Sequence, residues 1–189
     1  MEFLIQLDTW MLLGINSAHH PALDEIFSWI TGRFTWIPLY AVMLYLLIRK
    51  ERSNSWIPLL CVIGMITISD QIASSLFKPL LMRPRPCHLD ELKPLLHLVN
   101  NYCGGAYGFY SSHASNTFAL FVFWGARSGK PLATLLCLYA LANSYSRIYL
   151  GVHYPSDVLT GILAGFICAR LFIIIEAKIK ARVSLTLKY

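Results

Sequence analysis

Val158–Ile175 reads VLTGILAGFICARLFIII. At 1.5 Å per helical residue these residues reach about 27 Å, close to the roughly 30 Å hydrocarbon thickness of a bilayer. Arg170 is the single charge in the run. Working outward, Trp56–Phe77 is a second run of this kind. Phe34–Ile48, and Ala114–Ala126 with its flanks, are shorter but similar. Leu132–Asn143 is shorter still and can extend through the more polar Ser144–Tyr149. Over 189 residues the chain is 56% hydrophobic and only 14% charged, whereas soluble domains are typically about 25% charged. The expected fold is therefore all-α: an integral membrane helical bundle of about five transmembrane helices.

Residues 1–189 are expected to form one domain, with interfacial helices over 1–32, a transmembrane core over 33–176 that includes an outer loop at 79–110, and a cytoplasmic tail over 177–189. Met1–Ile15 has no basic n-region and no A-x-A site, so no cleavable signal peptide is expected. Phe3, Leu4, Leu7, Trp10, Met11 and Ile15 recur at helical spacing, with Gln6 and Asp8 off that face. This predicts an N-terminal amphipathic helix lying in the interface. His19, His20 and Pro21 break it in an exposed turn, and Asp24 and Glu25 begin a second short helix.

Lys and Arg beside the helix ends fall into two sets. Arg49, Lys50, Arg52, Arg127, Lys130, Lys178, Lys180, Arg182 and Lys188 lie on one side; Arg33, Lys78, Arg83, Arg85, Lys93 and Arg147 lie on the other. The larger set marks the cytoplasmic face. The net charge of +6 is thus distributed as in a membrane protein, and no basic stripe with interleaved aromatics points to nucleic acid. The long loop contains Leu92, Leu95, Leu96 and Val99, which suggest a short interfacial helix. Cys87 and Cys103 share this loop and can pair if that side is oxidising; bonded and free thiols both stay open here. Cys61, Cys137 and Cys168 lie in apolar helices as packing residues.

Three polar clusters come to the outer helix ends: Lys78 with Arg83-Pro84-Arg85-Pro86, Tyr110-Ser111-Ser112-His113, and Ser146-Arg147 followed by His153 and Asp157. Lys78, Arg85 and Arg147 supply fixed positive charge, and arginine can fork two N–H groups onto a phosphate. Ser111 and Ser112 precede a helix whose first N–H groups favour an anion. Asp157, four residues after His153, can accept a hydrogen bond from one ring nitrogen and leave the other free to attack. Three cations and several N–H donors suit the oxygens of a phosphoryl group in flight. His153 is read as the nucleophile and His113 as the acid that protonates the departing oxygen. No group on this side has metal-ligand spacing, so a metal-independent reaction with no cofactor is expected.

These residues resemble the type-2 phosphatidic acid phosphatase family, whose site is shared with vanadium haloperoxidases. Its motifs are K-x6-R-P, P-S-G-H and S-R-x5-H-x3-D. Lys78 with Arg85-Pro86 matches the first, and Ser146-Arg147 with His153 and Asp157 matches the third. The second is altered: Tyr110 stands for Pro and Ser112 for Gly, while Ser111 and His113 remain. The resemblance implies phosphate ligands at Lys78, Arg85, Ser111, Ser112 and Arg147. It also implies a membrane lipid phosphate as substrate: undecaprenyl diphosphate, phosphatidylglycerophosphate, phosphatidic acid or a lipid A phosphate. The expected location is a bacterial-type inner membrane, multi-pass, with the active site on the extracytoplasmic face. The rival reading is a transporter or channel for a small anion, for which charge at mid-membrane and internal symmetry would be needed. Asp70 is the one candidate charge, and no repeat is visible.

Other residues carry quieter expectations. Arg83 lies outside the motif and is expected at a headgroup or in a structural role. Asp70 is expected to support the site or pair within the bundle; for Arg170, pairing with Asp70 and snorkelling inward both stay open. Gly161 and Gly165 form a G-x-x-x-G close-packing device inside the bundle. Nothing in the sequence reads out an oligomeric state.

Overall fold

A computed structural model describes residues 2–32 and 34–186. Arg33 and Lys188, both used in the charge count, and the last residues of the expected tail lie outside the described residues. The helices are α1 (Glu2–Ser17), α2 (Pro21–Ile30), α3 (Ile37–Glu51), α4 (Trp56–Leu81), α5 (Ser112–Gly125), α6 (Lys130–Tyr149) and α7 (Pro155–Thr186). Among the described residues there is no strand, only an isolated bridge between Pro84 and Tyr107.

Prolines open several of these helices. Pro38, Pro131 and Pro155 stand in first turns, where the missing N–H costs nothing. Among the described residues, two helices are long and apolar enough to cross a bilayer by length and composition alone: α4, with mean hydropathy 1.6, and α7, where Pro155–Leu185 reaches 2.4. Helices α3 and α5 have 15 and 14 residues, and α6 ends in the polar run Asn143–Arg147.

Helix α5 is the axis of the bundle. Gly161 and Gly165 of α7 lie against it so closely that a Cβ would stand 2.5 Å from the Ser111 carbonyl oxygen and would collide with that of Ser115. The G-x-x-x-G motif is therefore an internal contact, as expected. Ser115 also shares a hydrogen bond of 2.6 Å with Ser69 of α4. Below it Met65, Ala119, Phe123, Leu136, Ala169 and Phe172 form a buried core. Leu159, Leu163, Ile167, Leu171 and Ile174 of α7 are exposed, an apolar outer face that suits lipid.

At the end of the bundle reached by Gly125 and Glu176, the charges of the larger basic set interlock. Arg127 pairs with buried Glu176, and Lys180 bridges Glu176 at 3.0 Å and Glu51 at 2.7 Å. The i,i+4 pair of Glu176 and Lys180 helps α7 continue. Residues 177–186, expected as a tail, are helical through Thr186.

The expected apolar face of the N-terminal helix is the one turned away from the protein, and its other face packs inward. Phe3, Leu4 and Trp10 are exposed, while Asp8, Leu12 and Asn16 are buried. Polar side chains can turn inward because they find partners there. Asn16 donates to the Tyr149 carbonyl at 2.7 Å and accepts from the His97 N–H at 2.8 Å. His19 and His20 sit in the expected exposed turn, where His20 caps α2 and His19 stacks on His97.

The loop after α4 is tied by a Cys87–Cys103 disulfide with a Cα–Cα separation of 5.8 Å. The short helix expected around Leu92–Val99 is replaced by 3₁₀ turns at Lys93–Leu95 and Val99–Asn101. Pro94 lacks a helical donor, and Asn100 and Asn101 both take positive φ, which breaks a helix.

Candidate active site

Helix α4 changes pitch before the site. A π-helical stretch at Ile72–Phe77 precedes Lys78, and Met82 in the left-handed conformation ends the helix. The following Arg-Pro-Arg-Pro segment runs extended beside residues 106–108. The Arg85 N–H donates to Ala106 at 3.0 Å, and the Gly108 N–H donates to Arg83 at 2.9 Å. This places the Arg85 guanidinium, only 8% exposed, against the turn between α6 and α7.

That turn begins at Arg147 in the last turn of α6. Its carbonyl accepts the N–H groups of Val152 and His153, each at 3.2 Å, with Gly151 at φ 71° making the reversal. His153 is 1% exposed. Its Nδ1 lies 3.3 Å from Asp157 Oδ2, and its Nε2 lies 2.9 Å from Arg85 Nη1. A guanidinium can only donate, so Nε2 is the acceptor and the ring proton is on Nδ1, toward Asp157. Burial, then the charges of Arg85, Arg147 and Lys78, hold His153 well below the ordinary histidine range. Both effects keep a lone pair on Nε2.

Ser111 caps α5: its hydroxyl accepts the Ala114 N–H at 3.5 Å, and its own N–H donates to the Asp157 carbonyl at 3.0 Å. Ser112 follows, with its hydroxyl accepting from Lys78 Nζ at 3.1 Å. His113 is exposed, on the wall of a cavity of about 740 Å³.

Five of the eight expected site residues line that cavity at one end: Lys78, Arg85, Ser112, His113 and His153. Ser111, Arg147 and Asp157 stand behind them, buried. Among the described residues, the Nε atoms of Arg85 and Arg147 are buried without a hydrogen-bond partner. Such donors cost free energy unless a ligand accepts from them, and an anion at this end of the cavity fits them. Away from the charged end the cavity becomes apolar. It passes Ile66, Val62 and Leu59 of α4, Leu120 and Trp124 of α5, and Met43, Leu44 and Leu47 of α3. From Lys78 to Leu59 is about 28 Å along α4.

Several residues beside the site were not singled out for it from the sequence. Arg83 donates to Asp157 Oδ1 at 2.7 Å and pairs with Asp8, and Asp8 in turn accepts the Ser156 N–H at 2.9 Å. Thr31 accepts from Arg147. A Cβ on Gly108 would stand 2.9 Å from Asp157 Oδ2, so only glycine lets the loop close over the carboxylate. The repeated Arg-Pro was a visible signal for Arg83; Asp8 offered none, because its partners lie far along the chain. Asp70 lines the cavity with Ser74 and makes no ion pair with Arg170, which is exposed. Of the two readings open for Arg170, pairing with Asp70 is not made, since Arg170 faces outward from α7. Among the described residues, no three His, Cys, Asp or Glu side chains are placed to share a metal ion.

Residues 58–180 match the model of the PAP2 superfamily. The chain belongs to that superfamily. It is 38% identical to the lipid A 4'-phosphatase of Bacteroides thetaiotaomicron, over 96% of this chain and 82% of that one. It is 34% identical to the lipid A 4'-phosphatase of Porphyromonas gingivalis, over 88% and 72%. Among solved structures, LpxE of Aquifex aeolicus superposes with a TM-score of 0.63 at 25% identity, covering 86% of this chain and 92% of that chain. A PAP2-type phosphatidylglycerolphosphate phosphatase of Bacillus subtilis gives 0.72 at 20% identity, over 95% and 89%, a likeness of fold. By family and relatives this PAP2 protein is an enzyme, a membrane lipid phosphatase.

Proposed function

We propose that this enzyme removes a phosphate monoester from a lipid A-type glycolipid, without a metal, through a phosphohistidine on His153. The observation that carries the mechanism is the pair of contacts on His153: Arg85 at Nε2 and Asp157 at Nδ1. With the ring proton held toward Asp157, the lone pair lies on Nε2, and a phosphate whose oxygens take over the Arg85 N–H would release it for attack on phosphorus. Two relatives that share most of their length with this chain are lipid A 4'-phosphatases, and this supports the substrate class over undecaprenyl diphosphate, which a match of only 34 residues suggests.

In this reading Lys78, Arg85, Ser112 and Arg147 hold the phosphate oxygens, with the N-terminus of α5 set by the Ser111 cap. His153 Nε2 forms a bond to phosphorus as the bond from phosphorus to the sugar oxygen breaks, and His113 gives that oxygen its proton. His113 then takes a proton from water, whose oxygen attacks phosphorus and breaks the N–P bond. The apolar length of the cavity takes an acyl chain. Its position between α3, α4 and α5 is motivated by the lining residues.

Helices α3 to α7 make five crossings in this proposal, with α1 and α2 at the interface. The site faces the outer side of a bacterial inner membrane, and the Arg127–Glu176–Lys180 end faces the cytoplasm, as the charge count favours. Membership of a phosphatase family does not favour the anion-channel alternative.

The test is trapping. Purified enzyme mixed with lipid A labelled at the phosphate, and quenched in alkali, should carry label on His153. Phosphate release should vanish in His153→Ala. Full turnover by His153→Ala, or label on another residue, would overturn the mechanism; turnover of a prenyl diphosphate but not lipid A would overturn the substrate.

A further inference from the structure

The region matched by the PAP2 model begins at residue 58, yet a side chain from the first helix reaches the site. Asp8 is 7% exposed and sits beside Arg83 and Ser156. Arg83 is the hub: one guanidinium nitrogen donates to Asp157 Oδ1 and to the Ser156 hydroxyl, both at 2.7 Å, and the other donates to Asp8. The guanidinium also lies 4.1 Å from the centre of the Tyr154 ring, and the Arg83 carbonyl accepts the Gly108 N–H. Both carboxylate oxygens of Asp157 are then occupied, Oδ1 by Arg83 and Oδ2 by His153 Nδ1 and the Tyr154 N–H.

We propose that Asp8 and Arg83 are positioning residues: through Arg83, the N-terminal helix holds the Asp157 carboxylate that orients His153. The inference rests on the His153 reading above. The physical need for both partners is electrostatic. Arg83 alone would fix the carboxylate but also set an uncompensated positive charge beside a histidine already facing cations. Those are Lys78 from α4, Arg85 from the same loop and Arg147 from α6, with His113 across the cavity on α5 and Asp157 the facing anion on α7. Asp8 offsets the Arg83 charge while leaving its geometry intact. A buried pair that loses one member leaves the other uncompensated.

Charge and geometry separate in three full-length variants. None of these side chains lines the cavity, so KM for lipid should hold in all three while kcat falls about tenfold or more, because a misplaced orienting group costs rate and not binding. Arg83→Gln removes positive charge, so the acid limb of kcat/KM should move to higher pH. Asp8→Asn removes the compensating negative charge, so that limb should move to lower pH. Arg83→Lys keeps the charge but not the fork, so kcat should fall with the limb unmoved. If Arg83→Gln fails to fold by thermal melting in detergent, Asp8→Asn decides alone. A kcat loss with the limb unmoved in Asp8→Asn, limb shifts of the same sign in both charge variants, or a wild-type-like Asp8→Asn enzyme would overturn the proposal. An inactive wild-type enzyme would instead remove the reading on which it stands.

Discussion

Arg85 and His153 meet nitrogen to nitrogen, 2.9 Å apart, with Asp157 3.3 Å from the far side of the imidazole. Because guanidinium has no acceptor, the contact fixes the histidine tautomer. Asp157→Asn offers Nδ1 an amide that can present its N–H groups, and so favours the wrong tautomer. The expected loss in kcat is about 10⁴-fold, the loss seen when an orienting carboxylate is made an amide, with some loss of melting temperature because Arg83 loses a buried anionic partner. Phosphate release from micellar lipid measures it.

The acidic limb of activity should lie low. His153 is pushed well below the ordinary histidine value by burial and then by Arg85, Arg147 and Lys78. A lowered pKa keeps the base unprotonated as pH falls, so the nucleophile should remain competent below about pH 6.5, the ordinary value. The same shift has a cost in stability. Below that pH the unfolded chain binds a proton that folded His153 refuses, so stability should fall as pH drops. A kcat/KM profile whose acid limb sits above pH 6.5 and follows His153 would contradict the burial argument.

The glycines of α7 divide stability from activity. A Cβ at position 165 meets the Ser115 carbonyl, and one at 161 meets the Ser111 carbonyl beside the phosphate end. Gly165→Ala should cost about 1–3 kcal/mol by overpacking, read as a lower melting temperature. Gly161→Ala should in addition shift Ser111 and raise KM for lipid. Equal melting temperatures for Gly165→Ala and wild type would exclude the close contact.

Reduction should soften the outer loop. The Cys87–Cys103 bond closes residues 16 apart, and the chain-entropy model gives about 3 kcal/mol for such a loop. Reductant should lower the melting temperature of the wild type and leave Cys87→Ser/Cys103→Ser unaffected. Two alkylatable thiols in the native, oxidised protein would show that the bond is not formed.

Filling the apolar cavity should discriminate by chain length. Leu120→Trp adds bulk midway down its wall, so KM for a long-chain lipid should rise by tenfold or so, a penalty typical of overpacking by about 1–3 kcal/mol. A soluble short-chain phosphate should be hydrolysed as before. Equal loss on both substrates would place the chain elsewhere.

The linear chain determined much of this. Hydropathy and length marked Val158–Ile175 and Trp56–Phe77 as spanning runs, because desolvation of a long apolar helix needs no partner to be legible. Charged residues at fixed spacing, Lys78 with Arg85 and His153 with Asp157, marked the chemistry, since an i,i+4 pair or a Pro-bounded segment carries its own geometry. Tertiary structure decided what depends on partners distant in sequence. Asp8, off the apolar face of α1, is buried because Arg83 and Ser156, 75 and 148 residues away, satisfy its charge. Asn16 is buried because Tyr149 and His97 offer backbone groups. Ser111 spends its hydroxyl on a helix cap while Ser112 faces the cavity, a division that rests on the turn of α5 against Gly161. A local pattern records what a residue can do; burial beside a distant partner sets which of those things it does.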